Sequence, residues 1–182
     1  MYKKRSFRLN LEDRIKQIKL IAFDVDGVLT DGSIVVSSKE ELKVFNVKDG
    51  LGLTMARKLG FVTLFISGRS SVSLENRARE LKVDYLIMNC ENKIAELKKI
   101  LKELSMTYEN VAYMGDDYND LPILEVCGVS ACPGDAVEAV RERVDIVIED
   151  FGGRGAVRAL IEKILRIQNK LEQGIKLYFE DY

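Results

Sequence analysis

Histidine and tryptophan are missing from the 182 residues, and proline occurs only twice. Without histidine there can be no Ser-His-Asp triad, no Cys-His nucleophile, no phosphohistidine and no histidine-ligated zinc. Cysteine is nearly as scarce. Cys90, Cys127 and Cys132 are odd in number and show no Cys-x-x-Cys spacing, so they read as small buried hydrophobes, not a disulfide framework or zinc cluster. An excess of charge is lacking too: 28 Lys and Arg face 29 Asp and Glu, which leaves no electrostatic footprint for nucleic acid. Apolar runs are short, such as Phe61 to Ile66, and none suffices to span a membrane. The basic stretch Met1 to Asn10 has no apolar segment behind it and does not read as a secretory signal, so a cytoplasmic location is expected.

What remains is the balance of a soluble core, 47% hydrophobic and 31% charged, of a size expected for one domain over residues 1–182. Its chemistry must come from carboxylates, hydroxyls, Lys, Arg or a hard metal ion.

Strand-length apolar runs alternate with helix-period segments. Strands are expected at Ile18 to Val25, Phe61 to Ile66, Tyr85 to Met88, Val111 to Met114, Val129 to Cys132 and Val144 to Ile148. Helices are expected at Leu51 to Leu59, Val72 to Leu81, Lys93 to Leu104, Leu121 to Val126 and, as one long element, Ala156 to about Leu171. This alternation implies an α/β parallel sheet with right-handed crossovers. Ser33 to Val47 breaks the rhythm: two β-rich runs flank Ser-Ser-Lys-Glu, which reads as a β-hairpin inserted after the first strand, a flap or an oligomer contact.

Ligands of open parallel sheets sit beyond the C-terminal strand ends. The first strand exits into Asp24-Val-Asp26-Gly-Val-Leu-Thr-Asp31, the second into Ser67-Gly68-Arg69 and a later one into Gly115-Asp116-Asp117-Tyr-Asn-Asp120. Lys93 opens a helix, where the macrodipole disfavours a cation, so a functional role is favoured. Carboxylates about 4 Å apart repel by roughly 4 kcal/mol per pair at an effective dielectric near 20. Asp24, Asp26 and Asp116 therefore require a cation, and an all-oxygen donor set favours Mg²⁺. Asp24 is then placed as a nucleophile towards phosphorus, Asp26 as the acid and base, and Ser67 and Lys93 as partners of the phosphoryl oxygens.

Plainer roles compete at several positions. Asp117 suits a helix start, Asp49 a helix cap, and Arg77 a solvated surface. Calcium-loop spacing fails, since Val28, Leu29 and Val35 occupy its third acidic, glycine and twelfth positions. No phosphate-binding glycine pattern supports a nucleotide cofactor either.

In order, Asp24-x-Asp26-Gly-Val-Leu-Thr-Asp, Ser67-Gly-Arg, Lys93 and Gly115-Asp116-Asp117-x-x-Asp120 resemble the four motifs of haloacid dehalogenase superfamily phosphatases. Only 42 residues separate Asp24 from Ser67, room for a hairpin and a helix but no large cap domain. With Phe45 to Gly50, Arg69 to Arg77 and Gly152 to Arg158, residues 18 to 170 resemble the 3-deoxy-D-manno-octulosonate 8-phosphate phosphatase family. The resemblance implies a three-layer Rossmann-like fold and Mg²⁺-dependent hydrolysis of a small phosphorylated sugar acid, a step of lipopolysaccharide precursor synthesis. It implies a homotetramer in which the hairpin (about 33–47) and the C-terminal tail (174–182, after a helix, the two together spanning about 156–182) help close neighbouring sites. The metal would be held by Asp24, the Asp26 carbonyl and Asp116, with Asp117 and Asp120 supporting them from behind. Substrate would meet Asn46, Val47, Lys48, Asp49, Gly50, Gly68, Arg69 and Arg77. A nine-carbon sugar acid 9-phosphate or a range of sugar phosphates are alternative substrates. A receiver-like signalling module is the rival of another class; Asp26, an acid and base two residues from the nucleophile, argues for turnover instead.

Overall fold

The computed structural model describes residues 9–36 and 41–179. In chain order the elements are α1 (Leu11–Lys16), β1 (Leu20–Phe23), β2 (Val35–Val36), β3 (Glu41–Leu42), α2 (Val47–Lys58), β4 (Val62–Ile66), α3 (Val72–Leu81), β5 (Tyr85–Ile87) and α4 (Lys93–Glu103). Then come β6 (Val111–Met114), α5 (Leu121–Leu124), β7 (Val129–Cys132), α6 (Glu138–Arg141), β8 (Ile146–Val147), α7 (Ala156–Ile167) and α8 (Leu171–Lys176). Six strands pair in parallel in the order β5-β4-β1-β6-β7-β8.

Side chains of a strand alternate between faces, so a sheet covered on both sides needs apolar residues at every position. All four residues of β1 are buried accordingly. Ile21 and Phe23 pack with Leu53, Leu74, Val157, Leu160 and Ile164 beneath α2, α3 and α7. Leu20 and Ala22 face Leu97, Leu101, Ile123 and Val140 beneath α4, α5 and α6. The outcome is the expected α/β three-layer architecture, and no cap domain interrupts it among the described residues.

The register positions the site. Phe23 lies level with Phe65 of β4 and Met114 of β6, so Asp24, Ser67 and Asp116 emerge side by side. The chain winds from β1 outward to β5, then returns to β6 on the other side of β1. The strand order thus reverses at β1, where an open α/β sheet forms its crevice.

Several elements differ from expectation. α2 begins at Val47, not Leu51, because the Asn46 side chain accepts the Lys48 N–H at 2.8 Å and nucleates the turn. Val47, Gly50 and Gly52 disguise this turn in the sequence, and packing against α7 overrides their weak propensity. A Cβ on Gly52 would lie 2.9 Å from Arg158 Cδ, so the close approach of the two helices depends on that glycine. The long C-terminal helix is two, α7 and α8. Asn169 adopts a left-handed φ of 56° between them, a conformation that Asn tolerates, and the Lys170 N–H closes the α7 end on the Leu165 carbonyl. The expected strand over 144–148 shortens to β8, and the short helices α1 and α6 lacked a readable period. In the hairpin, Val35 pairs with Leu42 and Val36 with Glu41, antiparallel and apart from the main sheet. Its turn, residues 37–40, and the end of the tail, 180–182, lie outside the described residues.

Candidate active site

Asp24 leaves the end of β1, its N–H donating to the Met114 carbonyl at 3.0 Å, and its side chain is almost fully buried. Asn92 caps α4 by accepting the Ala95 N–H, which points Lys93, the first residue of that helix, inward. Lys93 Nζ donates to Asp24 Oδ1 at 2.6 Å and to Asp120 Oδ1 at 2.7 Å. The Tyr113 hydroxyl donates to the same Asp120 oxygen at 2.6 Å, and the other Asp120 oxygen accepts the Asp116 N–H at 3.0 Å. Asp120 is wholly buried. It folds the loop after β6 so that Asp116 faces Asp24, while Asp117 stays exposed and accepts the Tyr118 N–H at 2.7 Å.

One oxygen each from Asp24, Asp116 and Asp120 lie within 4.8 Å of one another. Three carboxylates beside the single ammonium of Lys93 leave two surplus negative charges. Burial, then the Asp24 and Asp120 charges, push the Asp116 carboxyl up to about 8. Burial, then Asp120, raise Asp24 to about 6 against the pull of Lys93. Burial opposes the Lys93 charge, but Asp24 and Asp120 outweigh it and hold its pKa above the ordinary lysine value. Asp116 Oδ1 is buried with no hydrogen-bond partner among the described residues. A hard divalent cation fits this cluster: it answers the two surplus charges and supplies the orphaned oxygen with a partner.

A cavity of about 420 Å³ opens over the cluster, lined by Asp24, Asp26, Gly68, Arg69, Asp116, Asp117, Tyr118 and Asn119. Ser67 is buried at the end of β4, its Oγ accepting the Arg69 N–H at 3.1 Å. Asp26 is bound by Lys43, a hairpin residue whose Nζ also donates to Glu41 at 2.9 Å; Glu41 in turn accepts Arg69 Nη2 at 2.8 Å.

The first turn of α2 stands elsewhere. Val47 and Lys48 are exposed, and Asn46 caps the helix while donating to the Gly153 carbonyl at 3.3 Å. Asp49 is buried and accepts the Arg158 N–H at 2.8 Å in the first turn of α7. Arg77 donates to the Asn46 carbonyl at 3.3 Å and packs against Gly50. None of these six residues lines the cavity over the acidic cluster. Conversely, sequence reasoning missed Lys43, Glu41, Tyr118, Asn119 and Tyr113. The alternation Glu41-Leu42-Lys43, which puts two charges on one face of an apolar hairpin, was the available signal for the first pair.

A family model described as haloacid dehalogenase-like hydrolase matches residues 87–160. The chain is 38% identical over 162 residues to the 3-deoxy-D-manno-octulosonate 8-phosphate phosphatase of Escherichia coli K12, covering 88% of this chain and 86% of that one. It superimposes with a TM-score of 0.89 and 36% identity on the Moraxella catarrhalis enzyme of that name in complex with magnesium, phosphate and KDO, covering 92% and 97% of the two chains. The cobalt-bound enzyme from Haemophilus influenzae matches with a TM-score of 0.85 and 35% identity, covering 89% and 98%.

Proposed function

Since this chain belongs to the 3-deoxy-D-manno-octulosonate 8-phosphate phosphatases, within the haloacid dehalogenase-like hydrolases, we propose that it is a Mg²⁺-dependent phosphoric monoester hydrolase releasing phosphate from that sugar acid. The observation that carries this reading is the meeting of Asp24, Asp116, Asp120 and Lys93 at the reversal of strand order.

Asp24, Asp116 and the backbone carbonyl of Asp26 would hold the ion, which neutralises surplus charge and polarises the phosphoryl oxygens. Lys93 occupies Asp24 Oδ1, leaving the second carboxylate oxygen to attack phosphorus. As that oxygen bonds to phosphorus, the bond from phosphorus to the sugar oxygen breaks, and Asp26 gives its proton to the departing alkoxide. Asp26, now a carboxylate, takes a proton from water as the water oxygen attacks the aspartyl-phosphate, which frees Asp24 and orthophosphate. Ser67 and Lys93 meet the growing negative charge on the phosphoryl oxygens. Gly68 and Arg69 bind the substrate, the guanidinium suited to its carboxylate. Asp24→Asn removes the nucleophile, and less than about 1% of turnover should survive in a folded protein, since covalent catalysis has no substitute there. The decisive assay is phosphate release from the eight-carbon substrate with and without EDTA, beside the nine-carbon 9-phosphate. A higher kcat/KM for the latter overturns the substrate assignment, and EDTA-resistant turnover overturns the metal.

The same reading extends to a cytoplasmic homotetramer of single-domain chains. Among the described residues, no helix is long and apolar enough to cross a membrane. Ile34, Val35, Val36, Leu42 and Val44 leave the hairpin apolar and exposed, Val36 at 79%, which supports burial against other copies. The substrate contacts expected of Val47 and Lys48, exposed beside it, and the closure of neighbouring sites expected of the tail belong to that assembly. Val36→Glu is expected to shift the mass measured by light scattering from tetramer towards monomer.

A further inference from the structure

Among the described residues, Lys43 is the hairpin side chain that bonds Asp26 at the site, and the proposed mechanism leaves it without a role. Its side chain is 1% exposed, so a full positive charge has been taken out of water, and a buried ammonium persists only where carboxylates compensate it. It has two: Asp26 and Glu41. Glu41 lies two residues away on the same face of the strand and is itself gripped by Arg69 from the β4 exit, 2.8 Å away. The Ser73 hydroxyl adds a 3.4 Å bond to the Glu41 carbonyl. A chain of contacts thus runs from α3 and Arg69 through Glu41 and Lys43 to Asp26. The Asp26 carboxylate borders the open cavity, and Lys43 is its one side-chain partner among the described residues.

We propose that Lys43, delivered by the inserted hairpin and braced by Glu41, is the positioning residue that orients the Asp26 carboxyl towards the leaving oxygen of the substrate. This rests on the reading of Asp26 as acid and base. Asp26 must place its proton on the sugar oxygen as the P–O bond breaks, and a misplacement near 1 Å costs about 100-fold in rate. The hairpin thereby does for a site without a cap what a fixed second wall would do: it holds one catalytic group in register.

The leaving group separates this role from a merely structural one. A sugar alkoxide departs only with a proton, whereas p-nitrophenolate departs without one. The two substrates are compared by kcat/KM, which reports only the steps up to aspartyl-phosphate formation. For Lys43→Met, kcat/KM on 3-deoxy-D-manno-octulosonate 8-phosphate is expected to fall about 30- to 100-fold, and on p-nitrophenyl phosphate less than about threefold. Inhibition by inorganic phosphate should stay within about twofold, and Lys43→Arg should recover most of the sugar-phosphate rate. Glu41→Gln, which keeps the ammonium but loosens its brace, should show the same selectivity at smaller amplitude and decides the matter if Lys43→Met fails to fold. Equal losses on both substrates, or a sugar-phosphate rate within threefold of wild type, overturn the proposal. Asp26→Asn is the control. If it too loses equally on both substrates, Asp26 is not the acid and the mechanism itself fails; if it discriminates and Lys43→Met does not, only the role of Lys43 falls.

Discussion

A Cβ on Gly27 would meet Asp116 Oδ2 at 2.0 Å, on a backbone already at φ 86°. Gly27→Ala therefore combines a left-handed penalty of about 1–2 kcal/mol with displacement of the Asp116 carboxylate, one of the groups proposed to hold the ion. Mg²⁺ affinity measured by calorimetry should drop at least about tenfold, and phosphate release with it. The residues around this contact were largely legible in the sequence, because the acids Asp24, Asp26 and Asp116, together with Ser67, follow short apolar runs and the glycines beside them mark turns. Lys43 was not. Its significance lies in a pairing with Asp26 across 17 positions, and no local pattern reports which carboxylate a distant ammonium will meet.

Asp49 belongs to the scale of the element. It sits in the first turn of α2, yet its carboxylate accepts the Arg158 N–H at 2.8 Å and so caps α7 from a neighbouring helix. Asp49→Ala leaves that N–H unpaired and should cost about 1–3 kcal/mol, lowering the melting temperature by about 2–4 °C per kcal/mol in differential scanning calorimetry. Helix ends were the least legible feature throughout. The first turn of α2 and the break at Asn169 both depend on capping and on helix contacts, which outweigh weak intrinsic propensities. Strand existence was clearer, since burial on both faces leaves an apolar run without alternation.

For the whole molecule, the raised carboxyls link metal, protons and stability. The folded state of the chelated protein holds protons on Asp116 up to about pH 8 and on Asp24 up to about 6, whereas the unfolded chain releases them near 4. The native state binds more protons in this window, so stability falls as pH rises from about 4 to about 8. Asp145 works the other way: burial opposes its charge, but the Arg14 guanidinium prevails and holds its pKa low, and that stabilisation is lost on acidification. The proposed Mg²⁺ site is this cluster in its ionised form, so the gain in melting temperature on adding Mg²⁺ should be larger at pH 8 than at pH 5. A gain independent of pH would remove these carboxyls from the metal site.

By itself the sequence determined the parallel α/β layering, the inserted hairpin and the kind of chemistry, because hydrophobic period, the want of histidine and acidic strand exits are local properties of the chain. Only the tertiary structure decided that Asp120 braces the loop of Asp116, that Asp49 and Arg77 tie α2 to its neighbours, and that Lys43 reaches Asp26. Charges seek partners through space, where the winner is chosen by burial and geometry that no stretch of sequence contains.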